Sequence, residues 1–182
     1  MNNVLVFHGA GETPQSFWHP YLKKTLESNN YKVSIPQLPD ANDPNLDKWL
    51  SFILKNEKIN ENTTLVSHSA GCPLVLSVLE KLNIRVKKAV LVAGYCTPLP
   101  VKGAANLILQ DKYNWEKIRK NAGKFIFINS DNDPWGCDDK QGRKMFDKLG
   151  GMLIINHEGH MGSDWMKQPY KEFPLLVKLI EL

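Results

Sequence analysis

Six short apolar runs recur along the chain, most of them followed by a loop and a stretch with helical spacing. Asn3–Phe7, Tyr31–Ile35, Thr63–Ser67, Val86–Ala93, Lys124–Ile128 and Met152–Ile155 are nearly continuous hydrophobes rather than alternating ones. That is the pattern of strands covered on both faces. Between and after them, Gln15–Ser28, Asn45–Lys55, Cys72–Leu82, Trp115–Asn121, Asp138–Leu149 and Tyr170–Leu182 space their apolar residues as helices do. Such alternation predicts a three-layer α/β/α architecture around a mostly parallel six-stranded sheet. Doubly wound sheets often run 2-1-3-4-5, and the sixth run extends the expected order to 2-1-3-4-5-6. Ligands bind beyond the carboxyl ends of the strands where that order reverses. The loops 8–14 and 68–71 therefore face each other at the expected site.

Other properties narrow the class. A length of 182 residues suits one domain, 1–182, and a 42% hydrophobic share is enough for a buried core. No apolar run approaches the ~18 residues of a membrane span, and the Val4–Phe7 run lacks a basic leader. Cys72, Cys96 and Cys137 form no C-x-x-C pair, which predicts reduced thiols, no disulfides and a cytoplasmic protein. The net charge of +4 is modest. Basic residues gather at Arg85, Lys87 and Lys88 and from Lys112 to Lys124. They read either as a phosphate-contacting patch or, preferably, as a solvated face. No aromatic interleaving marks a nucleic-acid platform, so neither nucleic acid nor membrane is an expected partner.

The heptapeptide Leu65–Gly71 runs from a strand into a turn and then a helix. A serine on such a turn has its hydroxyl thrust out of the sheet, which makes Ser69 a candidate nucleophile. The tight turn needs small residues two positions either side, here Ser67 and Gly71. The bland alternative is that Ser69 caps the helix. The loop after the first strand reads Gly9-Ala10-Gly11-Glu12-Thr13-Pro14. Acyl transfer needs two N–H donors aimed where a carbonyl oxygen becomes negative, and Ala10 and Ala70 are the candidates. A dinucleotide fingerprint would want G-x-G-x-x-G. Pro14 stands where the third glycine should, and Glu12 would repel a pyrophosphate.

A serine hydroxyl needs a base, and the base an orienting acid, in the chain order Ser, Asp or Glu, His. The loop after the fifth run offers Asp131 and Asp133, and that after the sixth offers His157 and His160. Asp133 precedes Pro134 deep in its turn, and His160 lies between Gly159 and Gly162. These are the preferred acid and base, with Asp131 and His157 as bracing residues. The zinc spacing H-E-x-x-H is absent, no metal is expected, and His8, His19 and His68 read as packing groups.

With these loops in place, the chain resembles an α/β-hydrolase over nearly its whole length. More narrowly, it is similar to the short cytoplasmic serine hydrolases related to retinoblastoma-binding protein 9. The resemblance rests on His8-Gly9-x-Gly11 with Trp18 downstream, His68–Gly71, Ser130-Asp131-x-Asp133-Pro134 and Gly159-His160. It implies a minimal hydrolase fold without the first two strands of the full-length form. It also puts Ser69, Asp133 and His160 at the triad positions. Ser67 stands where that family's elbow usually has glycine. No L-x-C-x-E stretch is present, so no retinoblastoma-protein contact is carried over.

The resulting expectation is a carboxylesterase-like serine hydrolase that cleaves a small-molecule ester, or an amide, through an acyl-enzyme without cofactor or metal. The segment 94–114 is expected to form a short lid-like loop. Tyr95, Leu99, Trp135, Met161 and Trp165 are the expected walls of the substrate pocket, and the minimal lid suggests small acyl groups. The competing reading is an inactive hydrolase-fold protein serving as an interaction module.

Overall fold

The computed structural model describes residues 2–100 and 104–182; part of the 94–114 segment thus lies outside the described residues. The strands are β1 (Asn3–Phe7), β2 (Lys32–Ser34), β3 (Thr63–His68), β4 (Lys88–Val92), β5 (Phe125–Ser130) and β6 (Met152–Asn156). They alternate with α1 (His19–Ser28), α2 (Leu46–Asn56), α3 (Gly71–Lys81), α4 (Trp115–Lys120), α5 (Asp139–Leu149) and α6 (Pro174–Glu181). A 3₁₀ turn at Ala104–Ile108 precedes α4. The sheet order is β2-β1-β3-β4-β5-β6, parallel at every pairing. Every residue of β3, β4 and β5 is buried, which is why those runs carry almost no alternation. Helices α2, α3, α4 and α5 pack in succession, while α1 packs with α6.

Side chains at the helix starts supply missing hydrogen-bond acceptors. Asn45 accepts from Lys48 N–H at the head of α2, and Asp138 accepts from Lys140 and Gln141 N–H at the head of α5. Lys88 departs from the surface reading of its basic cluster. Only 3% exposed at the start of β4, its Nζ donates to Leu179 and Ile180 carbonyls at 2.7 and 2.9 Å. It thus supplies donors to the last turn of α6. Burial first, then Lys124 and Lys87, bring its pKa down to about 8.

Several expected boundaries shift, most clearly in three elements. Helix α1 starts at His19 rather than Gln15, because a Thr13–Ser16 turn intervenes and Phe17 is left-handed at φ 49°. The fourth strand loses its ends: Val86 makes only an isolated bridge to Ala122, and Ala93 turns left-handed at φ 47°. The last helix starts at Pro174, since Tyr170 is left-handed at φ 36° and proline favours a first helical turn. Among the described residues, no helix is long and apolar enough to cross a membrane.

Candidate active site

Strand β3 delivers Ser69 on a tight turn. Its φ of 49° is left-handed, a conformation that costs a non-glycine residue energy and persists only when its surroundings enforce it. They do so here: Ser69 N–H donates to Val92 O on β4 at 3.0 Å, and Cys72 N–H closes the turn onto Ser69 O at 2.9 Å. Gly71 is required, because a Cβ there would run into the Phe7 carbonyl of β1. Ser67 fits without such a clash. Its hydroxyl is buried and donates to Cys72 Sγ at 3.1 Å.

The loop after β1 folds against this turn. A Cβ on Gly9 would overlap the Glu12 carboxylate and come within 3.0 Å of Ser69 Cβ. Gly11 N–H donates to Ala41 O at 2.7 Å and Glu12 N–H to Gly9 O at 3.3 Å. Among the described residues, neither Ala10 N–H nor Ala70 N–H donates to a protein acceptor.

The loops after β5 and β6 bring Asp133 to His160. Asp133 Oδ2 lies 2.7 Å from His160 Nδ1, and Oδ1 accepts from Trp135 N–H at 2.8 Å. The two side chains are 0% and 7% exposed. An acceptor-only carboxylate at Nδ1 selects the tautomer with the proton there, which leaves Nε2 a lone pair. Asp131 and His157 instead pair with each other at the surface at 2.6 Å, with side chains 53% and 76% exposed.

Ser69 and His160 line one cavity of about 430 Å³. Among the described residues, no hydrogen bond joins the serine hydroxyl to the imidazole. Cys137 lines the same cavity, and burial holds its thiol well above its ordinary pKa and therefore protonated. Leu99, Trp135 and Trp165 line the cavity, the two tryptophan rings tilted against each other at 5.0 Å. Tyr95 and Met161, also expected there, are fully buried outside it. Tyr95 hydroxyl donates to Ala105 O. Met161 presents its carbonyl to Trp18 Nε1–H at 3.1 Å and its sulfur to Asn156 Nδ2 at 3.4 Å. Both are large and apolar and lie near the site in sequence, and the packed core took them.

Sequence reasoning missed Cys137 and a second buried cluster. Glu12, His19 and His68 bring ligand-type atoms within 4.8 Å of one another, as do Asp133, Cys137 and His160. In each group a carboxylate oxygen already faces an imidazole nitrogen, at 2.6 Å for Glu12–His68 and 2.7 Å for Asp133–His160. The sequence offered only Glu12 as an acid in a glycine-bearing loop, with its partner 56 residues away.

A parallel sheet in this order, with a serine on a left-handed turn between the third strand and its helix, defines an α/β-hydrolase fold. Solved structures agree. The YdeN protein of Bacillus subtilis superposes with a TM-score of 0.91 at 26% identity, covering 100% of this chain and 97% of that one. Est1E of Butyrivibrio proteoclasticus, solved with ferulic acid bound, gives 0.72 at 12% identity over 100% and 87% of the two chains, a likeness of fold alone. Within that class the chain belongs to the Serine hydrolase family, whose sequence model matches residues 4–180. In sequence it is 32% identical to YdeN over 133 residues, covering 71% of this chain and 70% of that one. It is also 24% identical to the serine hydrolase RBBP9 of Rattus norvegicus over 177 residues, covering 96% and 90%.

Proposed function

We propose that the chain hydrolyses small carboxylic esters, or amides, through an acyl-enzyme formed on Ser69. The observation that carries this reading is the buried 2.7 Å contact between Asp133 and His160 Nδ1, on the cavity that Ser69 also lines. As Ser69 Oγ attacks the substrate carbonyl, His160 Nε2 takes the hydroxyl proton and passes it to the leaving alcohol or amine. Asp133 holds the tautomer and stabilises the imidazolium. Ala10 and Ala70 N–H hold the oxyanion, each donor worth roughly 2.7–4 kcal/mol in the transition state. Water then attacks the acyl-enzyme by the same proton route, frees the acid and restores Ser69. No step calls for a cofactor or a metal.

Leu99 and Ala105, from the 94–114 segment, give the cavity one wall, and we assign that segment the part of a short lid. A cavity of about 430 Å³ sits at the small end of ligand sites, which favours short acyl groups. The three unpaired, buried cysteines suit a reducing compartment such as the cytoplasm.

One observation favours the second reading, an inactive interaction module: among the described residues no hydrogen bond joins the Ser69 hydroxyl to His160. Labelling with a fluorophosphonate separates the two. Modification at Ser69, lost in Ser69→Ala with little change in Tm, is the expected result. Equal behaviour of wild type and Ser69→Ala removes the hydrolase reading. Faster turnover of long-chain esters than of acetate or butyrate esters would remove the small-acyl assignment alone.

A further inference from the structure

A second carboxylate–imidazole pair reaches the same cavity, with Glu12 on its wall, and the hydrolysis just described does not use it. Glu12 Oε2 accepts from Gly9 N–H at 2.9 Å, and Oε1 lies 2.6 Å from His68 Nδ1. His68 Nε2 lies 2.8 Å from the main-chain carbonyl of His160. A carbonyl only accepts, so Nε2 carries a proton, and one further proton is shared between Nδ1 and Glu12. This chain of bonds joins three separate loops: the one bearing Ala10, the end of β3 just before Ser69, and the one bearing His160.

We propose that Glu12 and His68 are a positioning pair, an ionised carboxylate and an imidazolium that lock the Ala10 loop and the His160 main chain to the residue preceding Ser69. The proposal rests on the assignment of Ser69 and His160 as nucleophile and base. Glu12 and His68 act through those residues and take no part in bond making.

The surroundings favour this charge state. Burial, the largest influence on both groups, opposes ionisation. Against it, His68, His19 and Gly9 N–H together take Glu12 down to about 2. Glu12, the His160 carbonyl and Asp133 raise His68. Of the other histidines facing the pair, His8 and His19 are both lowered by burial, His19 to about 4. His19 Nδ1 lies 3.1 Å from Thr13 O and so carries its proton, leaving Nε2 without a partner 3.7 Å from Glu12 Oε2. Two N–H groups converge on the two oxygens of Glu12 in the charged pair. Glutamine at position 12 would keep the Gly9 contact but could reach His68 only by donating to a deprotonated Nδ1, so the charge-assisted bond would give way to a weaker neutral one.

The test uses the full chain. Fluorophosphonate labelling of wild type first decides the Ser69 assignment on its own. Two-bond ¹H–¹⁵N spectra of the histidine rings at pH 7.5 then read the His68 charge state directly. Both His68 nitrogens should be protonated in wild type and one only in Glu12→Gln. Ester turnover by Glu12→Gln should show kcat reduced roughly 10- to 100-fold, the scale of a small misplacement of catalytic groups. KM should stay within roughly threefold, because glutamine keeps the size of the Glu12 side chain on the cavity wall. A labelled wild type with a neutral His68, or an unchanged kcat in a folded Glu12→Gln, overturns the proposal. So does one equivalent of zinc on wild type whose removal by a chelator restores the shared proton, since the cluster would then be a metal site. Should Glu12→Gln fail to fold, the wild-type spectrum and metal content still decide.

Discussion

Two carboxylate–imidazole pairs flank Ser69 at nearly equal lengths, 2.7 Å for Asp133–His160 and 2.6 Å for Glu12–His68. Both are buried, and each carboxylate also accepts a main-chain N–H, from Trp135 and from Gly9 respectively. They differ at the far side of the ring. The second nitrogen of His68 is committed to the His160 carbonyl. That of His160 has no hydrogen-bond partner among the described residues, and His160 lines the cavity. A carboxylate beside an imidazole therefore does not by itself identify a base. In the reading proposed above, the base is the ring whose second nitrogen is uncommitted on the cavity, and the fastening is the ring whose second nitrogen is taken.

The hardest way to break that contrast is to delete each imidazole in turn. His160→Ala should lower kcat on the order of 10⁴- to 10⁶-fold, the scale seen when a triad base is lost, with little change in urea midpoint. His68→Ala should act the other way round. It leaves the Glu12 carboxylate, 8% exposed, without its cation, and breaking a buried pair costs about 3–5 kcal/mol. Paired denaturation curves and initial rates test this. If His160→Ala proves the more destabilising of the two, the division into base and fastening is wrong.

A weaker but sharper test is pH. Glu12 falls from 4.5 to about 2 on folding, so its contribution is fully present above 4.5 and is lost as pH drops through about 2. His68 is raised from 6.5, so its contribution is present below 6.5 and is lost as pH rises through its folded value. His19 works against the pair at low pH. Lowered to about 4 from 6.5, it resists protonation in the fold while the unfolded chain takes a proton up. Stability should therefore decline from pH 6.5 towards 4, by up to about 1.4 kcal/mol per unit from this one group. His19→Phe should flatten that slope in urea titrations at pH 6.5, 5.5 and 4.5. Identical slopes in both proteins would mean that His19 is not held neutral beside Glu12.

What could be read in advance follows the range of the interactions. Strands β3, β4 and β5 were legible because burial on both faces leaves near-continuous hydrophobes, and the switch-point rule placed loops 8–14 and 68–71 together. Asp133 and Asp131 were separable because proline after the former signals a turn, and in the fold they pair with different histidines. Chain order could not reveal that Glu12 meets His68, nor that Cys137 joins Ser69 on one cavity, since each pairing spans dozens of residues with no periodicity to announce it. Tyr95 and Met161 failed as pocket walls for the same reason. Nearness in sequence to a site says nothing about which face of a loop points inwards. Local backbone misled at α1 and α6, where the left-handed Phe17 and Tyr170 interrupt helical patterns that composition alone continues.

The smallest expected effect concerns Ser67, at the start of the elbow, which belongs to neither pair. Ser67 occupies a position where a side chain meets no backbone clash and its hydroxyl reaches Cys72 Sγ at 3.1 Å. Ser67→Gly forfeits one weak hydrogen bond to sulfur and adds chain entropy to the unfolded state, together about 1 kcal/mol or slightly more. The left-handed turn at Ser69 is held by Val92 O and by the packing of Gly71 on Phe7, neither of which involves the Ser67 side chain. Ester turnover should therefore stay within roughly twofold while the urea midpoint falls slightly. A large loss of kcat in Ser67→Gly would show that the elbow geometry depends on the Ser67–Cys72 bond. The contrast between the two pairs would then have to be redrawn, with the Ser67–Cys72 bond as a third element of the site.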